Sequence, residues 1–301
     1  MTQNTPQIPW SEEQWARANQ VIQEEGRRAR VAASFLPLFG PLPADADFVP
    51  RDAITYVPDG SESSARMVID DRTTIPLPTL QVKVFLRGAQ MADPGMASAL
   101  QLFRRAANVL ARLEDLTVFR GLPASGESAA KAFTDLPGIW QITGAQKNRG
   151  LLAPDARDKD VEPVSRVSGP GLGETLVGDI SSAIGRLEGA GHFGPFAVVL
   201  DQAFFTAVQT PNTSSLVLPQ DRIVPFLAGG PLLRSSALPE RSGVVVALGG
   251  APVELVVATD MSLGFLQVTT DPMYVFRVYE KVLLRIKEPG AIVSLKQDPP
   301  K

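Results

Sequence analysis

The sequence predicts an α+β chain with its helices and strands segregated along its length. Three observations carry this. The segment from Asp93 to Arg120 is strongly amphipathic with a helical period. The stretch from Val244 to Ile286 is dominated by short apolar runs rich in β-branched residues, which favour strands. Between the first helix and the amphipathic segment lies 45–79, rich in Pro, Asp and Ser and too long for an ordinary connection. No internal repeat is visible.

Residues 1–9 are polar and read as disordered. Ser11 followed by Glu12, Glu13 and Gln14 forms a capping box, in which Ser and Gln each satisfy a free backbone N–H. Trp15, Ala18, Ile22 and Ala29 then recur at roughly helical spacing, with Gly26 as a weak point. Pro37 and the run Gly40-Pro41-Leu42-Pro43 end this helix. In 45–79, Pro58, Gly60, Pro76 and Pro78 separate short β-type pieces. From Leu80 to Leu86 the chain alternates, placing Leu80, Val82, Val84 and Leu86 on one face of a strand. Asp93 is then read as a helix cap and Pro94 as the first helical residue. Met96, Leu100, Phe103, Ala107, Leu110 and Leu113 form the apolar stripe, and Gly121 stands where a C-terminal cap is expected. Such a helix is about 40 Å long, which suits a flat, extended molecule.

Residues 122–172 read mostly as loop. A second helix is predicted over Glu174–Glu188, a buried strand over Ala197–Leu200 and a further helix over Gln202–Val208. Residues 210–220 are loop. Val244–Leu248 and Val253–Ala258 flank Gly249-Gly250 and read as a hairpin of buried strands. Phe276–Ile286 is the last predicted strand, and the Pro-rich C-terminal tail is loose.

Composition narrows the function. Hydrophobic residues make up 44%, enough for a sizeable core, while the net charge of -3 argues against a general nucleic-acid binder. Cysteine is absent, which removes disulfides and thiolate metal sites. The N-terminus lacks the basic and apolar regions of a signal peptide, and no apolar run approaches the ~18 residues that span a bilayer. A soluble, intracellular protein without a membrane partner is expected.

The chemistry-bearing motifs are weak. Gly189 to Gly194 spells G-x-G-x-x-G, but a dinucleotide site needs a strand before the glycines and a helix after them, and here the order is reversed. His192, the single histidine, sits in a turn-like context; a Ser-His-Asp triad would have to use it. Glu114 and Asp115 are helix neighbours that point about 100° apart, so they read as ion-pair partners of Arg112, Arg120 or a neighbouring subunit rather than as an acid/base pair. Trp10 and Trp15 admit both a packing and a docking reading. No catalytic, cofactor-binding or metal-binding residue is expected, and no bound cofactor.

Several segments in order carry a family resemblance. They are Leu113-Glu114-Asp115-Leu116-Thr117-Val118-Phe119-Arg120-Gly121, the run from Gly191 through His192 and Phe193 to Leu200, Leu227-Ala228-Gly229-Gly230, Asp260 to Phe265, and Phe276 to Ile292. Together they resemble the encapsulins, in particular the group of linocin type, over about Trp10 to Leu295. The resemblance implies the Hong Kong 97 phage-capsid-like fold. It implies that 1–44 is an N-terminal helix and arm on the lumenal side, 45–86 the E-loop, 87–134 with 256–301 the P-domain, and 135–255 the A-domain.

The function so implied is that of a shell subunit that self-assembles into an icosahedral compartment in the cytoplasm. Its partners would be copies of itself and a cargo enzyme of iron-storage or redox type, such as a ferritin-like protein or peroxidase, held by a terminal targeting peptide. No nucleic acid is expected inside. Val31, Phe35, Leu36, Leu38 and Phe39 form an apolar arm and are the candidate peptide-docking residues; in many relatives this arm is basic and acidic. The loop Pro211, Asn212, Thr213, Ser214, Ser215 and Leu216 falls where the family has its five-fold pore, with Asp221 and Arg222 near the rim. Some relatives bind flavin beside a tryptophan after the E-loop; the matching stretch Leu86–Met91 has none. The alternative readings are a phage or prophage major capsid protein that packages DNA and a hydrolytic enzyme using His192.

Overall fold

The computed structural model describes residues 10–58, 65–123, 133–152, 161–163, 171–211 and 217–297. The leader 1–9 and the last residues of the tail, both read above as loose, lie outside them. Helix α1 (Glu12–Ala29) begins at the expected capping box: Gln14 N–H donates to Ser11 Oγ at 3.3 Å and Ser11 N–H to Gln14 Oε1 at 3.0 Å. Trp10, just before it, is buried, stacks on Phe276 with ring centroids 5.0 Å apart and donates from Nε1 to Met91 O at 3.2 Å. Trp15 meets both rings edge-on or tilted. The tryptophans therefore pack. Gly26 has a reason to be glycine: a Cβ there would stand 3.0 Å from Met261 Sδ, so the helix lies close on the sheet beneath it.

A short turn, α2 (Ala32–Phe35), follows, and another, α3 (Gly88–Met91), precedes the long helix α4 (Ala97–Arg120). Helix α4 starts later than Asp93 suggested. Met96 stands at its entry with a left-handed φ of 53°, and Asp93 reaches forward to accept from Gly95 N at 3.0 Å and Ala97 N at 2.9 Å. Gly121 ends the helix with φ +85°; a Cβ there would strike Asn148 O at 2.6 Å. The predicted stripe is buried, and from Val109 to Phe119 every residue is buried except Arg112. That half of α4 is enclosed on all sides.

Strand β1 (Leu38–Phe39) ends the N-terminal arm. The long stretch that follows is a twin hairpin: β2 (Phe48–Pro50) pairs with β5 (Thr74–Pro76), and β3 (Ala53–Pro58) with β4 (Ala65–Asp70). Strand β6 (Thr79–Arg87) returns to the body, and β7 (Trp140–Thr143) and β8 (Val161–Pro163) lie in the stretch predicted as loop. Helix α5 (Leu172–Gly189) leads to β9 (Phe196–Leu200), buried throughout. Helix α6 (Gln202–Gln209) is capped by Asp201, which accepts from Ala203 and Phe204 N–H groups. Helix α7 (Pro219–Ile223), β10 (Leu232–Arg234) and β11 (Ser242–Ala247) precede the long pair β12 (Val253–Val268) and β13 (Met273–Ile286); β14 (Ile292–Lys296) closes the chain.

Two five-stranded sheets result, ordered β1-β12-β13-β6-β7 and β10-β9-β11-β14-β8. Helices α1 and α4 pack on the first, and α5 on the second. This corrects two expectations. The apolar runs around Gly249-Gly250 do not form a hairpin: β11 pairs with β9 and β14, while β12 pairs with β13 and β1. The turn carries the chain from one sheet to the other, with Gly250 at φ +76° and Ala251 at φ +51°. Nor is β13 the last strand, because 289–291 return the chain to the second sheet as β14. Thus β7 belongs to the first sheet and β14 to the second. Among the described residues, no helix is long and apolar enough to cross a membrane.

Candidate functional site

The arm that leaves α1 is fixed to the body from both sides. Asp115 on α4 accepts from Ala32 N at 2.8 Å and from Val31 N at 3.1 Å, capping α2. Leu38 and Phe39 then add β1 in parallel to β12, opposite Leu255 and Val256, flanked by bonds from Leu255 N to Pro37 O and from Leu42 N to Val257 O, both 2.9 Å.

Between arm and sheet lies a groove of about 640 Å³. Its apolar wall is Ala33, Leu38, Phe39, Pro41, Leu255, Val257 and Val282; its polar lining is Arg27, Arg30, Ser34, Glu114 and Asp260. Leu38 is 63% exposed and Phe39 40% exposed, so both face outward, and Phe39 is backed by the Arg285 guanidinium 4.3 Å from its ring centre. The other three arm residues sit elsewhere. Phe35 and Leu36 are buried, Phe35 stacked near Phe119, and half-buried Val31 faces a different cavity. The apolar run thus divides into inward anchors and outward groove residues. The polar lining was missed by sequence reasoning, because its members come from four separate segments.

The floor of the groove is an ion cluster. Arg30 pairs with Glu114 on α4 and with Asp260 on β12, each at 2.7 Å, and with Glu280 on β13. Glu114 and Glu280 are fully buried. Glu114 therefore pairs with Arg30, not with Arg112, Arg120 or a neighbouring subunit, and Asp115 serves as a backbone cap. Burial pushes the Glu114 carboxyl up to about 7, against the pull of Arg30. Burial likewise raises Asp115 to about 7, against its bonds from Ala32 and Val31. Glu280 is raised well above the usual carboxylate range by burial and by Glu114 beside it. Burial disfavours charge on Arg30, but Glu280, Glu114 and Asp260 outweigh it and hold the guanidinium above its ordinary value.

The twin hairpin is the second candidate. Tyr56 (72% exposed), Met67 (66%) and Ile69 (57%) stand on its β3–β4 part, which among the described residues pairs with no other strand. Its base is fixed by buried Arg285, which holds Asp52 at 2.6 Å, Pro50 O at 2.9 Å and Glu254, and by Lys281 on Asp47 at 2.8 Å.

Of the pore-loop residues, exposed Pro211 is described, just after α6; Asn212, Thr213, Ser214, Ser215 and Leu216 lie outside the described residues. Arg222 is paired with Glu174, while exposed Asp221 has no ion pair among the described residues. The glycines around His192 connect α5 to β9, the reverse of a dinucleotide fold. His192 lies half-buried against Gly290, its backbone N–H on Leu187 O, with no side-chain hydrogen bond among the described residues. No metal-binding cluster occurs among the described residues.

Comparison with known proteins places these features in context. The chain is 29% identical to the type 1 encapsulin shell protein EncA of Myxococcus xanthus over 96% of its length and 94% of that protein's. It superposes on a virus-like particle from Pyrococcus furiosus with a TM-score of 0.65 at 16% identity, over 94% of this chain and 100% of that one. It also superposes on the capsid of a native GTA particle with a TM-score of 0.57 at 15% identity, over 99% and 95%. These structures share the phage-capsid-like fold with this chain. The profile of the Linocin_M18 family, described as encapsulating protein for peroxidase, matches residues 2–136 and 159–283. A family match over most of the chain, and a shell-protein relative similar along nearly the full length of both chains, make this chain a member of the encapsulin family.

Proposed function

We propose that the chain is a structural shell subunit, not an enzyme, that assembles into a closed icosahedral compartment in the cytoplasm around a redox or peroxidase-type cargo enzyme. The observation that carries this reading is the twin hairpin. Exposed Tyr56, Met67 and Ile69 on a two-stranded arm are left uncovered by the described residues of their own chain, and a second copy is the natural cover. The groove beside Leu38 and Phe39 supports the cargo half, since short targeting peptides need an apolar trough with a few polar fixings. The 211–216 loop is proposed to line a five-fold opening, and 1–44, 45–86, 87–134 with 256–301, and 135–255 to act as arm, E-loop, P-domain and A-domain. A capsid role for DNA is less well supported, given the net charge of -3 and the full-length likeness to a shell protein.

Electron microscopy and sedimentation of the purified chain test assembly: closed particles are expected, and monomers or dimers alone overturn it. Leu38→Ser, co-expressed with cargo, tests docking. Losing a buried leucine contact of ~1.5–3 kcal/mol weakens a peptide roughly 10- to 100-fold, partly masked by avidity. Intact shells depleted of cargo support the groove, and intact, fully loaded shells refute it. Phe35→Ser should instead impair folding.

A further inference from the structure

On the other side of the arm from the groove is a second cavity, of about 250 Å³, between α4, the end of α1 and residues 234–236. Its polar lining is Asn108, Arg112, Asp115, Arg234, Ser235 and Ser236. We propose that this cavity binds a small phosphate-class oxyanion.

Arg112 is the one residue between Val109 and Phe119 that is not buried, so the enclosed half of α4 opens only at this side chain. Its Nε is buried without a hydrogen-bond partner, and among the described residues no carboxylate pairs with it. A guanidinium N–H left unmatched in a protein interior is costly, and a bound anion removes that cost. Among the described residues, Arg234 is a second cation on the same cavity without a carboxylate partner. Its Nη1 donates to Gln202 Oε1 at 3.0 Å and its guanidinium lies 5.8 Å from the Phe205 ring centre, contacts that position the charge without neutralising it.

The carboxylate in the lining does not fill this role. Asp115 has both oxygens committed to the Val31 and Ala32 N–H groups. The nearby Glu25 accepts from Asn108 Nδ2 at 3.3 Å and does not line the cavity. What remains is donor-rich: two guanidiniums and the exposed Ser236 hydroxyl. Two guanidinium forks offer more N–H groups than one carboxylate can accept, and a tetrahedral dianion with several acceptor oxygens matches them better. The cavity exceeds one such ion, leaving room for bridging water.

The test is titration of purified, assembled protein with inorganic phosphate against sodium chloride at matched ionic strength, read by 31P line broadening and calorimetry. Saturable binding is expected, weakened at least roughly 10-fold by Arg112→Gln and by Arg234→Gln, and unchanged by Arg17→Gln, an exposed cation on α1. Arg234 is exposed, so its variant should fold and decides the matter if Arg112→Gln does not. Absence of saturable binding, binding retained in Arg234→Gln, or equal loss in Arg17→Gln would each overturn the proposal.

Discussion

Two arginines anchor the two projecting parts of this molecule, and they do so with opposite charge balance. Arg285 fixes the base of the twin hairpin. There, Arg285 and Lys287 face Glu254 and Asp52, two cations for two carboxylates, with Lys287 Nζ 3.1 Å from Glu254. Arg30 fixes the N-terminal arm, and it alone faces Glu114, Glu280 and Asp260. In the first cluster each carboxylate has a cation of its own; in the second, one cation serves three carboxylates. Glu114 and Asp115, raised to about 7, favour their protonated forms in the folded chain. Their contribution to stability is complete below the ordinary carboxylate range and is lost as pH rises through about 7. The arm should therefore be held more tightly at pH 6 than at pH 8.

The largest effect is expected from Arg30→Met. It strands buried carboxylates and should cost about 3–5 kcal/mol at pH 8, with partial recovery at pH 6 as they take up protons. Thermal unfolding at the two pH values measures this, and an equal loss at both would erase the distinction. Arg285→Met should cost less, about 2–3 kcal/mol, because Lys287 still covers Glu254. Limited proteolysis should find the hairpin released. Smallest is Glu114→Gln, which removes one negative charge. It should stabilise by on the order of 1 kcal/mol at pH 8 and not at pH 5, flattening the pH dependence.

The local signals of the fold were readable where one segment determines the outcome. The capping box at Ser11, the stripe on α4 and the alternation from Leu80 to Leu86 depend on neighbours in sequence, and each recurs in the structure. The turn at Gly249-Gly250 was misread because two apolar runs around a glycine pair look alike whether they pair together or enter different sheets. The Arg30 cluster was not legible, since its partners stand 84 to 250 residues away. The arm was half legible: its apolar character was plain, but the switch from helical turn to strand after Leu36 decides that Phe35 points inward and Leu38 outward.

The order of strands also sets a schedule for biosynthesis. The middle strand of the first sheet, β13, pairs Tyr274 with Leu86 of β6, and the second sheet takes its interior strand β14 from 292–296. Neither sheet can close until nearly the whole chain has left the ribosome, because β13 and β14, each an interior strand, are made last. A prematurely terminated product lacks the middle of one sheet and an inner strand of the other. Such a product leaves β12 and β6 without the strand between them and β11 without β14, so it cannot build the two sheets that hold the arm and the hairpin in place.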